Sequence, residues 1–369
     1  MLSTLYGAVA RRRREWYASR PERRRRLRRP VISVGNLAVG GRGKTPMVAA
    51  IARELLAMGE RPAILSRGYA RTQPVDGVVV VRDFQGIRSD LGRAGDEPLM
   101  LARQLEGVSV LVSPDRYLAG YLAEHRLEAT IHVLDDGFQH LQLDRDIDIL
   151  IIGREDVARP ITLPGGRLRE PLDTCIVADA IIAADDDVEI DVRGMEIPIF
   201  QVTRAIGTPV WSGGRNHGDP LSAAPLGSVL AVAGIASPER FFEDLRKAGY
   251  SLVERLAFSD HHPYSSSDVR RIFLRAAASG AAAVLTTEKD FVRLLPHRPF
   301  PLPAGWVPLT MEPDPLPEFR RWLAESVGAA RDMILTPEFR TPSPEFRTTS
   351  PESRIPRIPN PEPPSPELD

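Results

Sequence analysis

The residues best suited to chemistry form one stretch, Ala38-Val39-Gly40-Gly41-Arg42-Gly43-Lys44-Thr45. A lysine and a hydroxyl directly after closely spaced glycines suit one task, which is to hold an anion. Backbone N–H groups of such a loop, and of a helix that follows it, point at the anion. The lysine adds a point charge, and the threonine can reach a divalent cation. The usual pattern begins with Gly where this chain has Ala38. An ordinary glycine-rich turn shares the composition, so the cradle needs support from elsewhere in the chain.

Carboxylates are the first place to look. Asp135 and Asp136 end an apolar run and precede Gly137-Phe138-Gln139-His140. That is where an acidic residue reaches the metal of a phosphate cradle, although Asp136-Gly137 also suits a plain turn. Asp96, in Gly95-Asp96-Glu97-Pro98, either caps a helix or stands as a general base toward a hydroxyl. Ser113-Pro-Asp-Arg116 repeats the logic: Asp115 suits a cap, and Arg116 suits a phosphate. Ser259-Asp260-His261-His262-Pro263 is the only dense histidine site. It has too few companions for a metal, and it suits either a turn or a histidine that orients a carboxylate. Thr286-Thr-Glu-Lys-Asp290 is not a GTPase base-reading motif, because its Lys and Asp are adjacent.

These residues need a frame. Apolar runs at 31–34, 62–65, 78–81, 108–112, 131–134 and 147–152 alternate with helical patterns at 46–58, 98–106 and 116–125. The alternation predicts a doubly wound, mostly parallel α/β sheet, with ligands beyond the carboxyl ends of its strands. A strand near 180–183 and an extended run at 197–203 follow. Strands at 229–233, 283–285 and 306–309, with helices at 238–248 and 268–278, then suggest a second, smaller α/β lobe. The expected organisation is an arm at 1–30, a P-loop lobe at 31–155, a hinge segment at 156–228, a smaller lobe at 229–332 and a tail at 333–369.

The arm and the tail differ from the rest. Residues 11–29 hold eleven Arg against two Glu, beside Leu2, Leu5, Tyr6, Val9, Trp16 and Tyr17. Dense Arg beside apolar residues suits an anionic membrane surface, each basic residue contributing about 1 kcal/mol. A solvated tail and nucleic acid are the alternatives weighed for it. No run reaches the roughly 20 apolar residues of a membrane span. One cysteine, Cys175, excludes an internal disulfide framework and fits a reducing compartment. From Thr336 the chain repeats with period seven and carries ten of its 34 prolines, which excludes a coiled coil and predicts a disordered, polyproline-leaning extension.

Taken in order, the motifs resemble the tetraacyldisaccharide 4′-kinase (lipid A 4′-kinase) family. The strings are Val34–Pro46, Ser66-Arg-Gly-Tyr69, Gly95–Pro98, Ser113–Arg116, Leu134–His140, Leu163-Pro-Gly-Gly-Arg-Leu-Arg-Glu-Pro171, Gly234–Phe241, Asp260–His262 and Thr286–Asp290. In that family a small residue other than Gly commonly opens the loop, as Ala38 does. The resemblance implies two α/β lobes and transfer of the ATP γ-phosphate to the 4′-hydroxyl of a tetraacyldisaccharide 1-phosphate. It places this at the cytoplasmic face of the inner membrane of a Gram-negative bacterium. It implies ATP in the 38–45 loop and Mg²⁺ at Thr45, Asp135 and Asp136. Asp96 would be the base with His261 beside it, and Arg116, Gln139 and Glu97 would line the phosphate or substrate. No nucleic acid and no obligate protein partner are expected. The density of Arg in the arm, Phe291 and Arg293, and the proline repeat depart from the family pattern. A P-loop switch or assembly ATPase is the competing reading from Gly43-Lys44-Thr45 alone.

Overall fold

The structure is a computed structural model that describes residues 1–40, 43–69, 71–185, 188, 190, 196–212 and 227–336. Gly41 and Arg42 of the expected cradle, and the proline repeat from residue 337, lie outside the described residues.

The larger sheet grows outward from β1 (Val31–Asn36), which is buried along its whole length. Parallel neighbours are β6 (Ile131–Asp135) on one side and β7 (Ile147–Ile152) on the other. Beyond β6 come β2 (Pro62–Ser66) and β5 (Ser109–Val112), both parallel. An antiparallel hairpin, β3 (Val79–Asp83) and β4 (Gly86–Ile87), closes that edge. Beyond β7 come β8 (Ala180–Ala183) and β9 (Ile199–Ile206), both parallel, and then an antiparallel strand, β15 (Leu309–Asp314). The central strands are continuous Val, Ile and Leu runs because helices cover both faces. Ile32 and Val34 pack with α2 (Lys44–Ala57), α4 (Asp96–Gln104) and α10 (Leu316–Leu335), whereas Val31 packs with α5 (Arg116–Arg126) on the other face.

The smaller sheet has the order β10 (Val210–Ser212), β14 (Ala304–Val307), β13 (Ala283–Thr287), β11 (Val229–Ala233) and β12 (Leu252–Ala257). All its pairings are parallel except β10 with β14. Helices α7 (Pro238–Lys247) and α8 (Ser266–Ala278) flank it, and the short α9 (Glu288–Leu294) follows β13.

Two boundaries differ from the sequence expectation. The segment 156–228 is not a free connection: β8 and β9 extend the larger sheet through it. The smaller lobe does not run to residue 332, because β15 and α10 return to the larger lobe. The chain crosses between sheets only at 207–209 and at Pro308, and Gly207 N donates to Pro308 O at 2.8 Å. Prolines at 313, 315 and 317 hid the return. An edge strand tolerates Pro313, and the first turn of a helix tolerates Pro317.

The arm also folds more firmly than its composition suggests. Helix α1 (Leu2–Ala18) lies on the 162–173 loop through Ser3, Gly7, Arg11 and Arg14, spaced along one helical face. At least five of the eleven arginines are ion-paired to carboxylates of this chain. Arg11 meets Asp173, Arg14 meets Glu170, Arg24 and Arg26 share Asp144, Arg26 also meets Asp146, and Arg25 meets Asp115. Leu2, Leu5, Tyr6, Val9 and Trp16 are left facing outward. Among the described residues no helix is long and apolar enough to cross a membrane.

Candidate active site

The loop after β1 turns into α2 at Gly43, whose φ of 78° lies in the left-handed region. A side chain there would also strike Met311 of β15. The backbone angle is what favours glycine at this helix start, since the Met311 thioether end could shift aside. Lys44 Nζ donates to Asn36 Oδ1 at 3.1 Å and to Gly40 O at 3.2 Å, so the ammonium curls back over its own loop. Thr45 is buried in the first turn of α2. Ala38 is fully buried, packed with Leu37, Phe138 and Leu168, which is why a methyl group is accepted there.

The Leu163–Pro171 string forms the opposite wall. Val39 N donates to Arg167 O at 2.8 Å, and Arg169 N donates to Leu37 O at 2.6 Å. The Arg169 guanidinium grips both oxygens of Asp136 at 2.8 and 3.0 Å and also reaches Asn36 Oδ1 at 2.6 Å. Arg169 was absent from the expected site. The glycine pair before it was the available signal, since Gly165-Gly166 lets this loop run close to its neighbours.

The acidic pair divides into two environments. Asp136 lies 3.7 Å from Lys44 and is held by Arg169. Burial would raise its carboxyl, but the Arg169 bond and the Lys44 and Arg116 charges keep it below the usual range. Asp135 is buried, and among the described residues its carboxylate has one long side-chain bond, from Ser66 Oγ at 3.5 Å. Its carboxyl is pushed up to about 7, first by burial and then by the charges of Glu97 and Asp136. Unmatched hard-oxygen charge of this kind fits a divalent cation. Among the described residues no three His, Cys, Asp or Glu side chains gather as a dedicated cage. Mg²⁺ suits such a place, since it usually keeps several waters and shares phosphate oxygens.

Arg116 is buried, and its Nε has no partner among the described residues. Burial lowers its pKa to about 10, with Asp135 opposing the fall. Gln139 turns inward, its Nε2 donating to Asn36 O at 3.0 Å, and so braces the end of β1. Asp115 caps α5 by accepting from Leu118 N.

The second half of the site comes from the smaller lobe. His261, with φ of 56°, holds Asp96 Oδ2 through Nδ1 at 2.9 Å, although 165 residues separate them. Asp96 opens α4 and is nearly inaccessible to solvent. Burial pushes its carboxyl up, yet the His261 bond and the charges of Lys289, His261 and Arg293 together hold it below the usual range. Arg293 Nε lies 3.6 Å from the same oxygen. Glu97 is ion-paired to Lys289 at 2.9 Å. His262 turns away to Asp268, in the cap of α8. Asp290 is fully buried and accepts from Gly234 N, Tyr264 Oη and Arg293. Lys289 and Arg293 are therefore site residues that motif reasoning did not single out.

A glycine-rich cradle at the end of β1, with an acidic pair at the end of the adjacent parallel strand, defines a P-loop protein built for nucleotide phosphates. Comparison with known proteins narrows the class. The family model described as Tetraacyldisaccharide-1-P 4'-kinase matches residues 1–328. The chain is 42% identical over 324 residues to the tetraacyldisaccharide 4'-kinase of Geobacter sulfurreducens, covering 85% of this chain and 89% of that one. It is 41% identical over 302 residues to the one from Pelobacter propionicus, covering 79% and 81%. A crystal structure described as the "apo" form of LpxK from Aquifex aeolicus in complex with ATP matches with a TM-score of 0.73 at 30% identity. That match covers 88% of this chain and 97% of that chain. The chain belongs to the tetraacyldisaccharide-1-P 4'-kinase family, and it is a kinase of lipid A biosynthesis acting on a disaccharide precursor. A partner-binding switch ATPase is thereby displaced.

Proposed function

We propose that the chain moves the γ-phosphate of ATP onto the 4′-hydroxyl of a tetraacyldisaccharide 1-phosphate, with Asp96 accepting the hydroxyl proton. The contact that carries this assignment is the 2.9 Å bond from His261 to Asp96, which joins the two lobes. Asp96 stays ionised across the neutral range, so its oxygens are ready acceptors. Phosphoryl transfer relies mainly on positioning and charge, so a held carboxylate serves even when it is not strongly basic. Residues 38–45 cradle the triphosphate, and Lys44 and Arg116 face its charge. Thr45, Asp135 and Asp136 would hold Mg²⁺, which supplies charge neutralisation at the phosphates when bound.

The chain works on an anionic membrane surface, at the cytoplasmic face of the inner membrane of a Gram-negative bacterium. The support is α1, which turns small and charged residues toward the protein and Leu2, Leu5 and Val9 outward. At least five arginines are already paired, so the electrostatic attraction is weaker than eleven free charges would give.

The test is direct. Purified protein with ATP, Mg²⁺ and the disaccharide 1-phosphate should add a second phosphate to the lipid. Asp96→Asn should abolish that transfer while leaving ATP binding within about twofold. Unchanged turnover in Asp96→Asn would remove Asp96 as the base.

A further inference from the structure

We propose that Lys289 is a positioning residue that fixes the tautomer of His261 and clamps it, across the lobes, onto Asp96. The assignment rests on the phosphotransfer reading of the same site and adds a member to it. Lys289 Nζ makes two close contacts, 2.9 Å to His261 Nε2 and 2.9 Å to Glu97 Oε1, with Asp260 at 3.7 Å. An ammonium has three donors and no acceptor. Where Lys289 contacts His261, Nε2 must therefore be the acceptor and carry no proton. The ring proton then sits on Nδ1, which donates to Asp96 Oδ2. The second carboxylate contact anchors the ammonium to α4, the helix that carries Asp96.

The lysine is itself held. Thr287 caps α9 by accepting from Asp290 N at 3.1 Å, and Val292, three residues on along the same side of α9 as Lys289, is buried in the core of the larger lobe. Burial pulls the Lys289 pKa down, but the charges of Glu97 and Asp96 outweigh it and leave the pKa above its ordinary value. Asp96 and Glu97 from α4, Asp260 and His261 from the loop before α8, and Arg293 from α9 itself all face this point. With Nε2 occupied, His261 is not free to take the substrate proton. Its work is to aim Asp96, and that divides the roles of the pair.

The experiment uses the full chain and the variants Lys289→Met and Lys289→Arg, with His261→Gln to assign the ring signals. Long-range 1H–15N spectra of the resting protein read the His261 tautomer without any turnover. The parent should show Nδ1 protonated and Nε2 bare, and Lys289→Met should show the Nε2–H tautomer or the imidazolium. In the lipid phosphorylation assay Lys289→Met should lose about 10- to 100-fold in kcat with KM for ATP within about twofold. Lys289→Arg should recover part of the loss. Loss of one positive charge beside Asp96 should also move the acid limb of the pH profile upward. An unchanged tautomer in Lys289→Met overturns the proposal, as does a loss that falls on KM for ATP. Should the Met variant not fold, Lys289→Gln, which keeps a donor, should retain the parent tautomer with a shifted acid limb. Absence of any doubly phosphorylated product from the parent refutes the phosphotransfer reading instead, and the tautomer measurement stands apart from it.

Discussion

Replacing Asp135 by Asn should stabilise the metal-free protein while destroying its activity. Asp135 is buried at the end of β6, and its carboxyl rises from the ordinary 3.8 to about 7. The folded state therefore prefers the neutral form. Below pH 4 the group is protonated both folded and unfolded, and it adds no pH-dependent term. Between about 4 and 7 the unfolded chain sheds the proton first, so stability falls as pH rises, and above 7 the loss is complete. About three pKa units correspond to about 4 kcal/mol, and relaxation around the ionised group brings the expectation to about 2–4 kcal/mol. Asparagine keeps the shape without the charge. In chelator at pH 8, Asp135→Asn should thus be more stable than the parent by about that amount, and near pH 4 the two should converge. Urea unfolding at several pH values, with hydrogen exchange reporting β1 and β6, would measure it. A variant less stable than the parent at pH 8, or a difference that does not change with pH, would refute the reasoning.

Other consequences follow from the same geometry. With Asp135 holding Mg²⁺ as proposed, binding would displace a proton below pH 7, so the Mg²⁺ concentration for half-maximal activity should rise about tenfold per pH unit from 7 downward; isothermal titration in two buffers of different ionisation heat should show the proton release. Arg14→Ala leaves the buried Glu170 carboxylate without its bidentate partner and should cost about 2–4 kcal/mol, whereas Arg11→Ala, at an exposed pair, should cost less than about 1 kcal/mol in the same denaturation series. Ser265→Ala removes the capping box of α8 and should cost about 1 kcal/mol with kcat unchanged.

The half of the site carried by the larger lobe was readable because parallel sheets put their working loops at strand ends. Lys44 and Asp135 follow apolar runs that only a buried strand explains, and β1 pairs β6 as that reading requires. Asp96 and His261 are a different matter. Spacing alone left Asp96 between a cap and a base and His261 between a turn and an orienting group, because nothing local marks a bond between residues 165 positions apart. The family resemblance, not the pattern, joined them. Lys289 was missed for a related reason: α9 is too short for a helical period to show. The arm misled through composition. Its partners Asp115, Asp144, Asp146 and Glu170 lie about 90 residues or more away, so eleven arginines looked unmatched when several were not.

The topology explains why the missed residues are also the ones that join the halves. Both chain crossings, at 207–209 and at Pro308, lie side by side, so the backbone ties the lobes together along one line only. From the second crossing β15 carries Met311 directly against Gly43, which couples that line to the phosphate loop. Alignment elsewhere must come from side chains. His261 on Asp96, Lys289 on Glu97, and Gln104 on Glu288 supply it, with Val292 as the apolar contact. Glu97 then links this seam to Asp135, whose carboxyl it pushes upward. A charge change at Asp135 is thus felt at Glu97, the residue that Lys289 holds. The seam between the lobes and the carboxylate at the end of β6 therefore share Glu97 as a common charge.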